Sequence, residues 1–153
     1  MSSPISVGPF QLIAPIAQGG MGEVWKAFHI EQRVPVAFKL IHGRVSKDEA
    51  YIKDFVNEMR AIAGLNHPGV VWIYDYGTID ASVEKASNGR LSEGSAYLVM
   101  ELADQGTLSS IRGTLTWIEL RSLLLGLLDA LGHAHARGVI HRDLKPANVR
   151  SGV

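Results

Sequence analysis

The sequence contains no cysteine, and its formal charge balances to zero, with 15 basic and 15 acidic residues. Without cysteine, the chain can form neither disulfides nor thiolate metal sites. Without a net charge, it has no overall field that would recruit nucleic acid or an anionic membrane surface. We therefore expect no nucleic-acid partner.

The sequence also lacks a secretory signal and a long apolar run. Residues 1–5 have no basic region followed by an apolar core. The longest apolar stretch, residues 123–131, contains Gly126 and Asp129 and is too short and too polar to cross a bilayer. We therefore expect a cytoplasmic protein without a membrane segment. The 153 residues, 46% of them hydrophobic and 20% charged, are enough for a compact domain with its own core.

Apolar and alternating runs predict five strands in the first two thirds of the chain. They cover residues 10–16, 23–28, 36–41, 70–76 and 97–102. Short turns separate the first three runs, which predicts an antiparallel meander. Residues 78–95 are polar and contain Asn88 and Gly89. We expect this segment to be a mobile loop or a long hairpin connection.

One helix is predicted between the third and fourth strands. Ser46 and Glu49 fit a capping box ahead of it. Apolar residues then recur at steps of three, four and three, which makes a single stripe: Ile52, Phe55, Met59 and Ile62. Glu58 lies three residues after Phe55 and four before Ile62, so we expect it on the same inward side.

A second helix is predicted in the last third of the chain. Thr116 and Glu119 form another capping-box pattern ahead of a broad leucine-rich face over residues 120–131. Arg137 and Gly138 provide the signal for its end.

Residues 141–148 read His-Arg-Asp-Leu-Lys-Pro-Ala-Asn, which resembles the catalytic loop of protein kinases, H-R-D-L-x-x-x-N. The resemblance implies that Asp143 orients the attacking hydroxyl and accepts its proton. It also implies that Lys145 places positive charge on the migrating phosphoryl group, and that Asn148 binds Mg²⁺ through its amide oxygen. Lysine two residues after the aspartate is usual for serine/threonine kinases. For this motif alone, a polar loop with merely solvated charges remains the alternative.

Residues 17–24 read Ala-Gln-Gly-Gly-Met-Gly-Glu-Val and resemble the kinase glycine-rich loop, G-x-G-x-x-G-x-V, with Ala17 in place of the first glycine. The resemblance implies that Gly19 and Gly22 let the hairpin backbone fold over a triphosphate, with its N–H groups facing oxygen. Taken alone, the two glycines are better explained by an ordinary turn.

Residues 36–39, Val-Ala-Phe-Lys, resemble the V-A-I-K strand. The resemblance implies that Lys39 binds the α and β phosphates of ATP and pairs with Glu58. Each residue also has a structural alternative. Lys39 would protect a sheet edge, and Glu58 would be a helix-boundary carboxylate.

Residues 66–71, Asn-His-Pro-Gly-Val-Val, resemble the H-P-N-I-V segment, and residues 97–102 resemble the strand that enters the hinge. The resemblance makes Met100 the gatekeeper and brings the backbone of Glu101 and Ala103 to the adenine edge. It also implies apolar walls for the adenine, formed by Ile16, Val24 and Ala37. Alternatively, these apolar residues simply belong to the hydrophobic core. The two interpretations overlap, because an adenine pocket is itself an extension of the core.

These motifs follow the order of eukaryotic-type serine/threonine protein kinases, and Gly-Gly-Met-Gly-Glu-Val most resembles the bacterial members. The resemblance implies an α+β fold with a five-stranded antiparallel N-lobe sheet, one helix and the hinge over residues 8–103. Residues 104–153 would begin an incomplete helical C-lobe. The expected partners are ATP, Mg²⁺ and a protein substrate with serine or threonine.

The resemblance stops abruptly after Asn148. The family continues with D-F-G, the activation segment and A-P-E, whereas here Val149 is followed by Arg150 and three further residues. We therefore expect a truncated kinase that is inactive or impaired, with its leucine-rich helix poorly ordered, self-associated or covered by a partner. Two alternatives remain: a non-catalytic nucleotide-binding or dimerisation module that acts on an intact kinase, and the product of a broken gene with no function.

Overall fold

The computed structural model describes residues 3–19, 22–41, 48–103, 105–141, 144, 146 and 149–150. The chain divides into two compact units. The first comprises Met1–Arg60 and Ile73–Leu102, and the second comprises Ala61–Trp72 and Ala103–Val153. The second unit therefore includes residues 61–72, which the sequence motifs group with the N-lobe. The domain organisation over residues 8–103 and 104–153 stays a prediction.

The first unit is built on an antiparallel sheet. Within the described residues its strands are β1 (Ser6–Val7), β2 (Phe10–Gly19), β3 (Gly22–His29), β4 (Val34–Ile41), β5 (Ile73–Thr78) and β6 (Ala96–Glu101). Their order across the sheet is β1-β2-β3-β4-β6-β5. Five of them confirm the predicted strands, although β5 starts three residues later than expected. The sixth, β1, is too short to show a period of two in the sequence.

One face of this sheet is the core of the first unit. In β3, Trp25 and Ala27 are buried, whereas Val24 and Phe28 are partly exposed and Lys26 is exposed. This alternation is that of a strand with one buried and one more exposed face. The residues of β4 on the core face are among the most deeply buried in the chain: Val36, Phe38 and Leu40.

The connection between β5 and β6 contains a helix that the sequence did not predict. The two strands pair antiparallel, so the prediction of a long hairpin connection is confirmed. Within it, however, lies α2 (Ala81–Ala86), which is capped by Asp80. We call residues 79–95 the insert. The insert adds three side chains to the sheet core: Ile79, Val83 and Leu91. A helix of six residues is too short to reveal itself through an apolar period.

The helix after β4, α1 (Glu49–Ala63), follows its predicted stripe. Phe55 and Met59 are buried, and the helix ends before Gly64. At its start, the side-chain oxygen Oδ1 of Asp48 accepts a hydrogen bond from the Ala50 N–H at 2.9 Å. The predicted cap at Ser46 lies outside the described residues.

The second unit contains a short 3-10 helix (Leu108–Ile111) and the long helix α3 (Trp117–Ala136). The predicted capping box is confirmed, because Thr116 N–H donates to Glu119 Oε2 at 2.7 Å and Glu119 N–H donates to Thr116 Oγ1 at 3.3 Å. Gly138 follows the helix end with a φ of +76°. No helix in the described part of the chain is long and apolar enough to cross a membrane.

Candidate functional site

The sheet face opposite the core gathers several of the predicted site residues. Strand pairing places Val24 beside Lys39, and Ala37 beside Met100. Directly paired residues in an antiparallel sheet project from the same face. These four residues therefore form one patch across β3, β4 and β6, and Ala17 extends it onto β2 by pairing with Val24. We call this set of five residues the cleft face.

Lys39 is the cation of the cleft face. Its side chain is half-buried, and no carboxylate of the described residues lies within 4.0 Å of its amine. A partly desolvated ammonium gains from an anionic partner. The cleft face therefore offers apolar residues and one positive charge that no described carboxylate neutralises, which fits a ligand with a flat apolar part and an anionic part.

The expected pairing of Lys39 with Glu58 is absent from the structure. Glu58 is exposed, and no ion pair of 4.0 Å or less joins it to Lys39. At about 100° per residue, Glu58 lies about 60° around the helix from Phe55 and about 100° from Met59. It is therefore at the edge of the buried stripe, from which a long side chain reaches solvent. The inward orientation expected for Glu58 is wrong in this conformation, and its catalytic role stays a prediction.

Gly22 has a structural reason to be glycine. It pairs with Gly19 at the end of the β2–β3 hairpin, and its φ is +151°. A Cβ atom at this position would lie 2.1 Å from the carbonyl oxygen of Leu40. Only glycine permits so close an approach of two strands with this backbone conformation. The role of the two glycines in phosphate binding stays a prediction beside this packing requirement.

The remaining candidates for the adenine site lie at the margins of the sheet. Ile16 is 46% exposed and lies at an irregularity in the β2–β3 pairing. Glu101 is the exposed last residue of β6. Ala103 belongs to the second unit, where its carbonyl oxygen accepts a hydrogen bond from Arg150 Nη1 at 3.3 Å. Their contacts with adenine stay predictions.

The catalytic-loop candidates Asp143, Lys145 and Asn148 lie outside the described residues, and their roles stay predictions. Elsewhere in the described chain, no group of three histidine, aspartate or glutamate side chains is arranged to hold a metal. The segment that follows the loop is held in the second unit. Its residue Val149 accepts a backbone hydrogen bond from Leu108 at 2.7 Å, and Arg150 forms a bridge with Thr107.

A cluster in the second unit was not predicted. His67 Nδ1 accepts a hydrogen bond from the Gly69 N–H at 2.8 Å, so His67 Nε2 carries the proton and donates to Asp129 Oδ2 at 2.7 Å. The ring of His133 lies 5.1 Å from that of His67. Desolvation, together with the charge of Arg137, lowers the pKa of His133. The cluster attaches residues 61–72 to α3. Asp129 and His133 at i and i+4 on one helix are the signal that could have suggested it.

The sequence is similar to protein kinases over almost its whole length. A family profile described as the protein kinase domain matches residues 10–150. Serine/threonine-protein kinase PknA of Mycobacterium tuberculosis is 40% identical over 147 residues, which are 93% of this chain and 32% of PknA. The probable serine/threonine-protein kinase PknB of Bifidobacterium longum is 35% identical over 152 residues, which are 97% of this chain and 21% of PknB.

A solved structure shows the same fold. The PknI kinase domain of Mycobacterium tuberculosis matches this structure with a TM-score of 0.76 at 23% identity, over 99% of this chain and 59% of that one. The likeness confirms the predicted fold class. The chain spans between about a fifth and a third of the two curated relatives and 59% of the solved chain.

Proposed function

Because the chain belongs to the protein kinase family, we propose that it supplies the nucleotide-binding part of an ATP-dependent serine/threonine protein kinase. The observation that carries this proposal is the cleft face. There, a half-buried Lys39 without a carboxylate partner among the described residues shares one side of the sheet with Val24, Ala37 and Met100. Apolar residues suit the purine of ATP, and the ammonium suits its phosphates.

The roles of the other residues follow the kinase motifs. The purine would lie against Ile16, Ala17, Val24 and Ala37, with Met100 as gatekeeper. Backbone groups of Glu101 and Ala103 would bond the adenine edge, while those of Gly19 and Gly22 would face the phosphates. Glu58 would pair with Lys39 only after α1 moves, because the pair is open here. In kinases, the position of this helix controls that ion pair.

Phosphoryl transfer would depend on the catalytic loop. Asp143 would orient the serine or threonine hydroxyl of a protein substrate and accept its proton, and Lys145 would stabilise charge on the transferred group. Asn148 would contribute its amide oxygen to Mg²⁺, which neutralises phosphate charge when bound. No aspartate follows Asp143 in these 153 residues, so the D-F-G ligand is missing from them. Since positioning and electrostatics supply most of this catalysis, we expect weak nucleotide binding and background phosphoryl transfer from the isolated chain.

Calorimetry with millimolar Mg·ATP tests the nucleotide site. The 153-residue chain should bind ATP, and Lys39→Ala should weaken binding about tenfold or more, because a charge-assisted contact is lost. Lys85→Ala is the matched control, since Lys85 is an exposed lysine on α2. Binding in Lys39→Ala as tight as in the parent chain would show that the cleft face is not the site.

A chimera tests the catalytic assignment. Appending the D-F-G-to-terminus segment of PknA should restore phosphorylation of a generic protein substrate. Asp143→Ala in that chimera should abolish it, whereas Asp75→Ala, at an exposed position on β5, should leave it unchanged. Robust turnover by the 153-residue chain alone, lost in Asp143→Ala, would show that the isolated chain is not impaired.

One observation favours the alternative of a non-catalytic module that acts on an intact kinase. Helix α3 exposes apolar side chains that a partner would cover: Leu124, Leu125 and Leu128. This alternative predicts a stable complex with an intact kinase domain even for Lys39→Ala. Sedimentation of the mixture tests this prediction. If the chain and the intact kinase domain sediment as two independent boundaries, the alternative is ruled out.

A further inference from the structure

We propose that the insert positions Gly22, at the phosphate-binding end of the β2–β3 hairpin. The insert would act through Arg90, Trp25 and Glu23. The proposal rests on the proposed function, since it concerns the same nucleotide site. It adds positioning residues that lie on the core side of the sheet, opposite Lys39. We call Arg90, Trp25 and Glu23 the brace.

The insert is a defined structure that can serve as a fixed support. Two backbone hydrogen bonds close its base, from Ile79 N–H to Ser95 O and from Gly94 N–H to Ile79 O, both at 2.8 Å. Inside it, the Ser87 hydroxyl accepts from the Leu91 N–H at 3.1 Å and donates to the Glu84 carbonyl at 3.0 Å. Leu91 is fully buried in the sheet core.

Arg90 connects the insert to β3. Its guanidinium carbon lies 4.7 Å from the centre of a Trp25 ring, which is within the range of a cation–π interaction. Trp25 is only 5% exposed, whereas Arg90 is exposed and covers it from the solvent side. The position of the indole is therefore fixed by the core beneath it and by the insert above it.

Trp25 in turn holds Glu23. The indole Nε1–H donates to Glu23 Oε1 at 2.6 Å, and both residues are on the core face of β3. Glu23 is 8% exposed, and no other hydrogen bond of its carboxylate occurs within the described chain. A buried carboxylate that loses its donor is strongly disfavoured, so the bond constrains the backbone at Glu23.

Glu23 directly follows Gly22, where the hairpin enters its phosphate-binding end. On this side Gly22 is packed against the Leu40 carbonyl. The other side of the hairpin is held less firmly, because β2 has irregular pairing near Ile13 and Ile16, and both side chains are exposed. Gly22 is therefore held from its β3 side, by its pairing with Ile41 on β4 and by the brace.

Loss of the brace should weaken the binding of the phosphates of ATP more than the binding of its purine. The purine patch of Val24, Ala37 and Met100 is held by strand pairing to β4 and β6, which does not depend on Arg90. The hairpin end has no second neighbouring strand on the β2 side at Gly19 within the described residues. ATP binding should therefore weaken while adenosine binding stays unchanged.

The test measures dissociation constants of Mg·ATP and adenosine for the 153-residue chain. Arg90→Ala should weaken ATP binding about threefold and Trp25→Phe, which keeps an aromatic ring but removes the N–H, about tenfold, with adenosine unchanged. Glu23→Gln, which keeps an acceptor for the indole, should resemble the parent chain. Val7→Ala is the control, because Val7 belongs to the same core but pairs with Phe10 at the opposite end of the hairpin. It should lower the melting temperature and leave the ratio of the two constants unchanged.

Amide hydrogen exchange gives a second readout that needs no nucleotide. Exchange over residues 22–25 should accelerate in Arg90→Ala and Trp25→Phe, but not in Val7→Ala. Unchanged exchange, or equal weakening of ATP and adenosine binding, would overturn the brace while leaving the nucleotide site intact. Faster exchange in a chain that shows no Lys39-dependent ATP binding would support the brace and reject the proposed function alone.

Discussion

The two units of the chain differ in how far their apolar residues are buried. In the first, the sheet and the insert enclose a continuous cluster that includes twelve buried residues of the described chain. In the second, α3 buries only Ala130 and Ala134 among its described residues, while Leu125 is 50% exposed and Leu128 is 63% exposed. Apolar composition alone therefore does not make a core. A sheet face is covered here by its own insert, whereas a broad leucine-rich helix face needs a facing layer that the described part of the second unit does not provide.

Leucine truncations should give the largest contrast between the units. Leu91 is 0% exposed, and Leu91→Ala should lower the free energy of unfolding by about 2–5 kcal/mol. Leu128→Ala removes the same atoms from an exposed position and should change it by less than about 0.5 kcal/mol. Urea unfolding followed by tryptophan fluorescence and by helical circular dichroism measures both. Similar losses in the two variants would mean that α3 is covered as well as the sheet.

Replacing a glycine by alanine should lower the free energy of unfolding in the first unit and raise it in the second. Gly22→Ala places a Cβ atom 2.1 Å from the Leu40 carbonyl oxygen, so it should destabilise the first unit by about 1–3 kcal/mol through backbone strain. Gly126 lies within α3, where an added methyl group would meet no described atom within 4 Å outside the helix's own neighbouring backbone. Gly126→Ala should therefore stabilise the helix by about 0.5–1 kcal/mol. Thermal unfolding of both variants is the measurement. A neutral Gly22→Ala would contradict the close approach of β3 to β4.

Acid should destabilise the second unit through His133, by less than the leucine and glycine substitutions do. The pKa of His133 is lowered below its ordinary value of 6.5, chiefly by desolvation. As the pH falls, the unfolded chain therefore takes up a proton at His133 before the folded chain does. The contribution of His133 to the free energy of unfolding is constant well above pH 6.5 and falls as the pH drops below 6.5. The melting temperature of the helical signal should decrease over this range. The decrease should become smaller in His133→Gln, and an equal slope in that variant would assign the titration to other groups.

The sequence predicted those features that local periodicity or a fixed motif determines. The alternation of β3 and the capping box of Thr116 and Glu119 are local, and both are confirmed. The gathering of Val24, Ala37 and Met100 on one face follows from a period of two in three strands, provided that the pairing register is right.

Features that depend on tertiary packing were missed. Helix α2 is too short for its buried Val83 to reveal a period. Glu58 is at the edge of a stripe, where the choice between core and solvent depends on how far the helix is rotated. The hydrogen bond between His67 and Asp129 joins residues that are 62 positions apart in the sequence. Rules based on residue spacing predict contacts within one helix or strand, so they do not predict this one.

The most direct test of the cleft face as the nucleotide site is to find which lysine an ATP analogue modifies. An ATP that carries an acyl group on its terminal phosphate transfers the acyl group to a nearby lysine amine and releases ATP, and mass spectrometry then locates the label. Within the first unit, we predict that Lys39 is acylated and that excess Mg·ATP protects it. The exposed Lys26, Lys53 and Lys85 should react slowly and without protection. Equal, unprotected labelling of these lysines, with Lys39 unmodified, would contradict the assignment of the cleft face as the nucleotide site.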